Sequence, residues 1–259
     1  MFRAVKALRF LRGRASFGRA WNLLRTFPQE QKNPDIFYTL LAKDTAEFIA
    51  AANADIRDEH SLKGLSVLDV GGGPGYFSEA FEQMGAWYVP VEPDVGEMSA
   101  AGIRNTDSVR ADGRYLPFAD SSFDIVYSSN VVEHVDHWEL MADEMLRVLK
   151  PGGLFVLSYT VWLGPFGGHE TGLWQHYVGG HFARRRYEKT HGHPPKNVFG
   201  ESLFNVSAAA GIRWAKRARG LRNLHFIPRY HPWWAWWVVQ VPVLREFFAS
   251  NLVVIARKH

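Results

Sequence analysis

A run of glycines between a hydrophobic strand and a helix constrains this chain more than any other feature. Residues 65–70 are a β-rich apolar run, Gly71-Gly72-Gly73-Pro74-Gly75 follows, and residues 76–84 carry a helical pattern. Glycine admits positive φ and lets a ligand approach the backbone, while the start of the next helix offers unpaired amides. The rhythm then repeats. Residues 86–91 read as a second strand closed by Glu92, a short third strand leads to Asp112, and residues 123–128 are a fourth. Residues 138–149 form a helix stopped by Pro151-Gly152-Gly153, and residues 154–159 a fifth strand. Strands alternating with helices at this spacing predict an α/β fold, a doubly wound and mostly parallel sheet with helices on both faces.

The turn's spacing narrows the ligand. A dinucleotide fingerprint needs a third glycine three residues after Gly73, and Tyr76 stands there. No Lys-Ser/Thr pair follows, which excludes a phosphate loop. An acid, Asp69, precedes Gly71 by two residues. Composition removes other classes: with no cysteine there is no disulfide scaffold, thiolate zinc site or cysteine nucleophile. Hydrophobic residues at 47% and charged residues at 22% suffice for a core. No apolar run reaches the ~18 residues of a membrane-spanning helix, and arginines interrupt any signal-peptide core near the N-terminus.

DVGGGPG, Glu92 at the end of strand two, Asp112 in ADGRYLPF, FDIVYSSNVVEHV and RVLKPGG together resemble the class I S-adenosylmethionine-dependent methyltransferases. The likeness is to the small-molecule branch that includes quinone-biosynthesis methyltransferases, and its irregular insertions are similar to an uncharacterised branch. The motifs cover about residues 60–160. The resemblance implies a seven-stranded Rossmann-like methyltransferase sheet and S-adenosyl-L-methionine as cofactor. It implies that Asp69 and the backbone of Gly71, Gly72, Gly73 and Gly75 hold the methionine part. Glu92 would accept from both ribose hydroxyls, as a carboxylate suits a vicinal diol. Asp112 would accept from the adenine amino group, with Gly113 and Leu116 near the ring, and Asn130 and Val131 would line the methyl end. Glu133-His134 resembles an acid–histidine pair of the quinone enzymes, some of which have a further Glu three residues earlier and bind a divalent metal. Asn130 occupies that position, a poorer ligand for a hard cation, so the pair reads as packing the helix start and no metal is expected.

The flanks point to the acceptor. Residues 1–26 hold Arg3, Lys6, Arg9, Arg12, Arg14, Arg19 and Arg25 with no acid, against a net charge of only +4 for the whole chain. Phe2, Val5, Leu8 and Leu11 recur at helical spacing there, so residues 1–27 predict a basic amphipathic helix. Asn33-Pro34 opens a second helix, and residues 1–60 form an N-terminal helical segment before a cofactor half (61–160) and a substrate half (161–259). In that last half residues 161–199 read as an irregular insertion, 201–210 as a helix, 212–218 as a strand, and 251–257 as the final strand. His169 follows the fifth strand directly and, with His134, is a candidate for contacting the acceptor or taking its proton; His181, His191 and His193 read as a hydrogen-bonded lid. Trp233, Trp234, Trp236 and Trp237 cannot all face one way on a helix, so some meet a bilayer or wall an apolar pocket. The expectation is a cytoplasmic enzyme, peripheral at the inner face of an anionic membrane, methylating a small-molecule or lipid-like acceptor. The rival readings are a nucleic-acid methyltransferase, opposed by the absence of an Asn/Asp-Pro-Pro-Tyr type motif after strand four, and a non-catalytic cofactor-binding partner of a membrane assembly.

Overall fold

The structure is a computed structural model and describes residues 8–26, 33–73, 75–93 and 108–259. Its strands are β1 (Ser66–Val70), β2 (Trp87–Val91), β3 (Phe123–Ser129), β4 (Leu149–Thr160), β5 (Leu221–Pro228) and β6 (Asn251–Lys258). They form one sheet in the order β2-β1-β3-β4-β6-β5. The first four run parallel, and β6 lies antiparallel between β4 and β5. The sheet therefore has six strands rather than seven. The expected third strand shrinks to a single bridge between Val91 and Val109. Val109 spends its N–H on Pro90 and its carbonyl on Glu92, and the polar residues after it turn away.

Helices cover both faces: α1 (Arg9–Arg14), α2 (Phe17–Thr26), α3 (Pro34–Arg57), α4 (Ser78–Glu82), α5 (Trp138–Val148), α6 (Gln175–Val178), α7 (Gly180–His191), α8 (Ala208–Arg217) and α9 (Leu244–Phe248). Alternating strand residues divide the core in two. Leu68, Val70, Val126, Phe155, Leu157 and Val254 pack on Met141 and Met145 of α5 and Ile212 and Trp214 of α8. Val67, Ile125, Leu154, Val156, Val253 and Ile255 pack on Phe48, Ile49 and Ile56 of α3 and Phe81 of α4. A central strand buried on both faces reads as a continuous apolar run, as residues 154–157 do.

The flanks depart from the sequence reading. The N-terminal helix is broken at Ala15-Ser16, where the Ser16 hydroxyl accepts the Arg19 N–H and starts α2. Leu8 and Leu11 are buried in the core beside α3 instead of facing a bilayer; Phe2 and Val5 lie outside the described residues. The helix expected at 201–210 and the strand at 212–218 are replaced by α8. Ser207 caps it by accepting the Ala210 N–H, and Glu246 accepts the N–H groups of Ala208 and Ala209 at its positive end. Its Ala208, Gly211, Ile212 and Ala215 recur at helical spacing on one buried side. The segment expected to be irregular after Thr160 contains α7. That helix is too polar to show an apolar stripe, and its Arg184 pairs with Glu188 one turn on.

Candidate functional site

Ligand sites in such sheets form at the carboxyl ends of the parallel strands, and the candidate residues gather there. Past β1 the chain turns at Gly71, Gly73 and Gly75, all with positive φ. The N–H groups of Gly71 and Gly72 both reach the Val91 carbonyl at 2.8 and 3.2 Å, tying the turn to the end of β2. Gly73 N–H donates to Glu92 Oε2 at 3.2 Å. A Cβ at Gly71 would overlap the Val131 side chain, whereas one at Gly73 would stand in open space. Gly71 is thus needed for packing, and Gly73 leaves its backbone open to a ligand. The turn, Glu92 and the loop after β3 are therefore one continuous surface.

Asp69 lies beneath this surface. It is buried, and Tyr88 of β2 and Tyr127 of β3 both donate their hydroxyls to its Oδ2 at 2.5 Å. Burial pushes its carboxyl up to about 7, against the two phenol hydrogen bonds, and the charge of Glu92 adds to the rise. Its place is under the turn, held from the neighbouring strands. No sequence signal marks either tyrosine as a partner of Asp69, although Tyr127 sits opposite Asp69 in the β1–β3 register.

Asp112 is clamped by Arg114, with Nη2 on Oδ2 at 2.7 Å and Nε on Oδ1 at 3.1 Å. The Arg114 hydrogen bonds hold its carboxyl below the usual carboxylate range despite partial desolvation. Gly113 is a packing glycine as well, since a Cβ there would meet Val70 at 2.8 Å and Met141 at 3.0 Å. Leu116 is inside the core rather than open to a ring. Asn130, at the end of β3, adopts a left-handed backbone with φ of 59°. Its Oδ1 accepts from Asn251 Nδ2 at 2.6 Å and its Nδ2 donates to the Tyr230 hydroxyl at 3.3 Å. Asn251 also accepts from Ser158 at 2.6 Å. This amide network joins three distant segments and was invisible in the sequence.

Glu133, His134 and His169 come together past β3 and β4. Glu133 is 2% exposed; its Oε1 accepts the Thr160 N–H at 3.0 Å, and its Oε2 is buried with no hydrogen-bond partner. His134 and His169 rings meet edge to face at 5.0 Å. His134 Nδ1 bonds the Ser202 carbonyl at 2.7 Å, and His169 Nδ1 the Gly167 carbonyl at 3.2 Å. One potential ligand atom from each of the three residues lies within 4.8 Å of the others. The other histidines of the segment are elsewhere: His191 stacks on Tyr187 at 4.0 Å, and His181 meets Phe199 at 5.1 Å.

Comparison with known proteins fits this arrangement. Residues 68–157 match the family model described as a methyltransferase domain. The chain is 55% identical over 252 residues to an uncharacterised methyltransferase of Mycobacterium marinum, covering 95% of this chain and 96% of that one. It is 56% identical over 247 residues to an uncharacterised methyltransferase of Mycobacterium tuberculosis, covering 93% and 95%. Among solved structures, an S-adenosylmethionine-dependent methyltransferase from Mesorhizobium loti shares the fold with a TM-score of 0.52 at 21% identity, covering 82% of this chain and 98% of that one. One from Archaeoglobus fulgidus does so with a TM-score of 0.52 at 16% identity, covering 82% and 94%.

Proposed function

The chain belongs to the class I S-adenosylmethionine-dependent methyltransferases, and from that premise we propose that its acceptor is a lipid-like or membrane-associated small molecule. S-adenosylmethionine supplies a methyl group already activated on a sulfonium. The residues at the strand ends suit that cofactor: a Cβ at Gly73 would stand in open space, so a ligand can approach the turn's backbone, and Glu92 sets a carboxylate beside it. In this reading Glu92 takes the ribose hydroxyls and the Gly71–Gly75 backbone the methionine part, with Asp69 supporting the turn from below. Asp112 and Gly113 border the adenine, and Asn130 borders the methyl end. His169 and His134 face the acceptor. Aligning two reactants and excluding water is worth several kcal/mol.

The observation that carries the lipid reading is an apolar face of α2 left exposed among the described residues. Phe17, Trp21 and Leu24 recur at helical spacing and are 64%, 54% and 50% exposed, and no residue of the helix is buried. Such a face on a surface helix suits an interface with apolar material. It adjoins the tryptophan segment: Trp233 N–H donates to the Ala15 carbonyl at 2.8 Å, and the Arg12 guanidinium sits 4.6 Å over the Trp233 ring. Trp233, Trp234 and Trp237 are exposed while Trp236 is buried. Arg9 and Arg25 are exposed on the same N-terminal helices. Arg14 and Arg19 are not available to headgroups, since both pair with Asp44. Among the described residues no helix is long and apolar enough to cross a membrane, so the contact is peripheral.

The test supplies methyl-labelled S-adenosylmethionine and purified protein to separated lipid and aqueous extracts of cells depleted of the protein. Label entering the lipid fraction is the expected result; label confined to the aqueous fraction overturns the acceptor class. Flotation on anionic vesicles is expected to require Trp21 and Phe17 and to weaken with salt.

A further inference from the structure

We propose that Glu133, His134 and His169 form a divalent-cation site of the zinc or first-row transition-metal class, set beside the methyl end of the cofactor surface. The three residues come from two separate segments, the turn after β3 and the loop after β4, yet their ligand atoms lie within 4.8 Å of one another. Each is prepared in a specific way. Both histidines have Nδ1 on a backbone carbonyl. A carbonyl oxygen only accepts, so Nδ1 carries the proton in both rings and Nε2 presents its lone pair. Ligating histidines are commonly fixed by such a bond behind them. Glu133 is 2% exposed, yet one oxygen is buried without a hydrogen bond, and no Lys or Arg pairs with it among the described residues. Leaving a buried carboxylate oxygen unsatisfied is costly; a cation between the three side chains removes that cost.

The donor set selects the ion. Two imidazoles and one carboxylate suit zinc, iron, cobalt or nickel, whereas calcium and magnesium require mostly oxygen donors. Asn130 is not part of the set. Its amide is engaged by Asn251 and Tyr230, so the site differs from one built on two acids and a histidine. His169 holds φ at 47°, a left-handed backbone that a non-glycine residue rarely adopts.

The location gives the ion a use. Val131, two residues before Glu133, packs against Gly71 of the cofactor turn. Three protein ligands leave coordination positions open, and an ion there lowers the pKa of a bound hydroxyl. The acceptor's hydroxyl proton would leave to water. The acceptor oxygen would then bond the methyl carbon as the carbon–sulfur bond breaks, its electron pair remaining on sulfur. This deepens the methyl-transfer reading by naming a hydroxyl acceptor and rests on that reading for its chemistry, but the site is tested without turnover.

The test titrates the metal-stripped full-length chain with cobalt(II), following its visible absorption, and with zinc by calorimetry. One equivalent per chain is expected, with the stronger visible bands of a low-coordinate site containing nitrogen donors. Glu133→Gln, which keeps the acceptor for Thr160, and His169→Gln are each expected to weaken binding tenfold or more. The double variant His191→Ala/His193→Ala is expected to bind as the parent does. Circular dichroism and calorimetry with S-adenosylmethionine check that each variant is folded. Should Glu133→Gln fail to fold, His169→Gln, at a half-buried turn position, decides the matter. No stoichiometric uptake, or undiminished uptake by His169→Gln, overturns the site. Metal uptake without methylation of any lipid would instead remove the acceptor reading and leave the site standing.

Discussion

The glycine turn and the side-chain clusters around it hold their polar groups by different means. Around Gly71–Gly75 the backbone does the positioning: left-handed glycines, amides on the Val91 carbonyl and a carboxylate on Gly73. Elsewhere side chains meet from segments far apart in the chain. Glu133–His134 meets His169, Asn130 meets Asn251 and Tyr230, and Asp44 meets Arg19 and Arg229. A backbone-built site tolerates changes that add no atoms and fails where a Cβ is added in a filled space. A side-chain-built site fails when one partner is removed, because the remaining polar group is stranded in low dielectric.

The sharpest test of that contrast is the clamp that ties Asp44 to Arg19 and Arg229. Arg19 holds both oxygens of Asp44, at 2.5 and 2.7 Å, and the buried Arg229 reaches it at 3.4 Å. Asp44→Ala leaves Arg229 buried without its counter-ion, so chemical denaturation should show a loss of about 4 kcal/mol. A loss below about 1 kcal/mol would mean that apolar packing and the other polar contacts, such as those of Asp55 with the Phe10 and Leu11 N–H groups, hold the N-terminal helices without the clamp. Burial pushes the Asp44 carboxyl up, but the Arg19, Arg229 and Arg14 contacts outweigh it and hold it below its ordinary value. Its stabilisation is therefore present above the unfolded pKa of about 3.9 and is lost as pH falls below that value.

The turn provides the matching test on the backbone side. Gly71→Ala adds a methyl against Val131 at a φ of 89° and should cost about 3 kcal/mol of stability, cofactor affinity or both. Gly73→Ala, in open space at a φ of 56°, should cost about 1 kcal/mol. Thermal unfolding and calorimetry with S-adenosylmethionine on the two variants rank them. Equal losses would show that conformation alone, not the Val131 contact, makes Gly71 necessary.

Asp69 bridges the two modes and has the opposite pH sign to Asp44. Its folded carboxyl is raised to about 7 by burial, so its contribution is full below the unfolded value of about 3.9 and is lost as pH rises toward 7. From pH 5 to pH 8 the parent should lose about 2–3 kcal/mol through this group, and Asp69→Asn should flatten that slope. An unchanged slope in the variant would assign the pH dependence to other groups. Smaller still, Glu92→Ala should weaken S-adenosylmethionine binding by about 2 kcal/mol, the loss of charge-assisted hydrogen bonds. Unaltered affinity would remove Glu92 from the ribose assignment.

The fold class was legible because it depends on local signals. Continuous apolar runs, glycine spacing and the acids ending the strands all lie within a few residues of what they specify, and β1, β2, β3 and β6 occur where expected, while β4 covers the expected strand but begins earlier, at Leu149. The errors fell where local patterns have two solutions. Residues 212–218 are apolar enough for a strand, but Ser207 and the helical spacing of Ala208, Ile212 and Ala215 make them a helix. The third strand needed a partner run longer than the single residue Val109 provides.

By itself the sequence determined the parallel strands β1 to β4 and the last strand β6, the glycine turn and the carboxylates beside it, since those follow from backbone stereochemistry and local residue pattern. Tertiary structure alone decided which amphipathic stripe meets water or lipid. Leu8 and Leu11 have the same spacing as any membrane-facing stripe, yet α3 and the sheet cover them, while Phe17, Trp21 and Leu24 stay outside. It also decided that Glu133, His134 and His169 come within reach of one another and that two tyrosines hold Asp69. The reason is the same in each case: spacing along a chain sets which side of an element a residue occupies, and only packing sets what stands opposite.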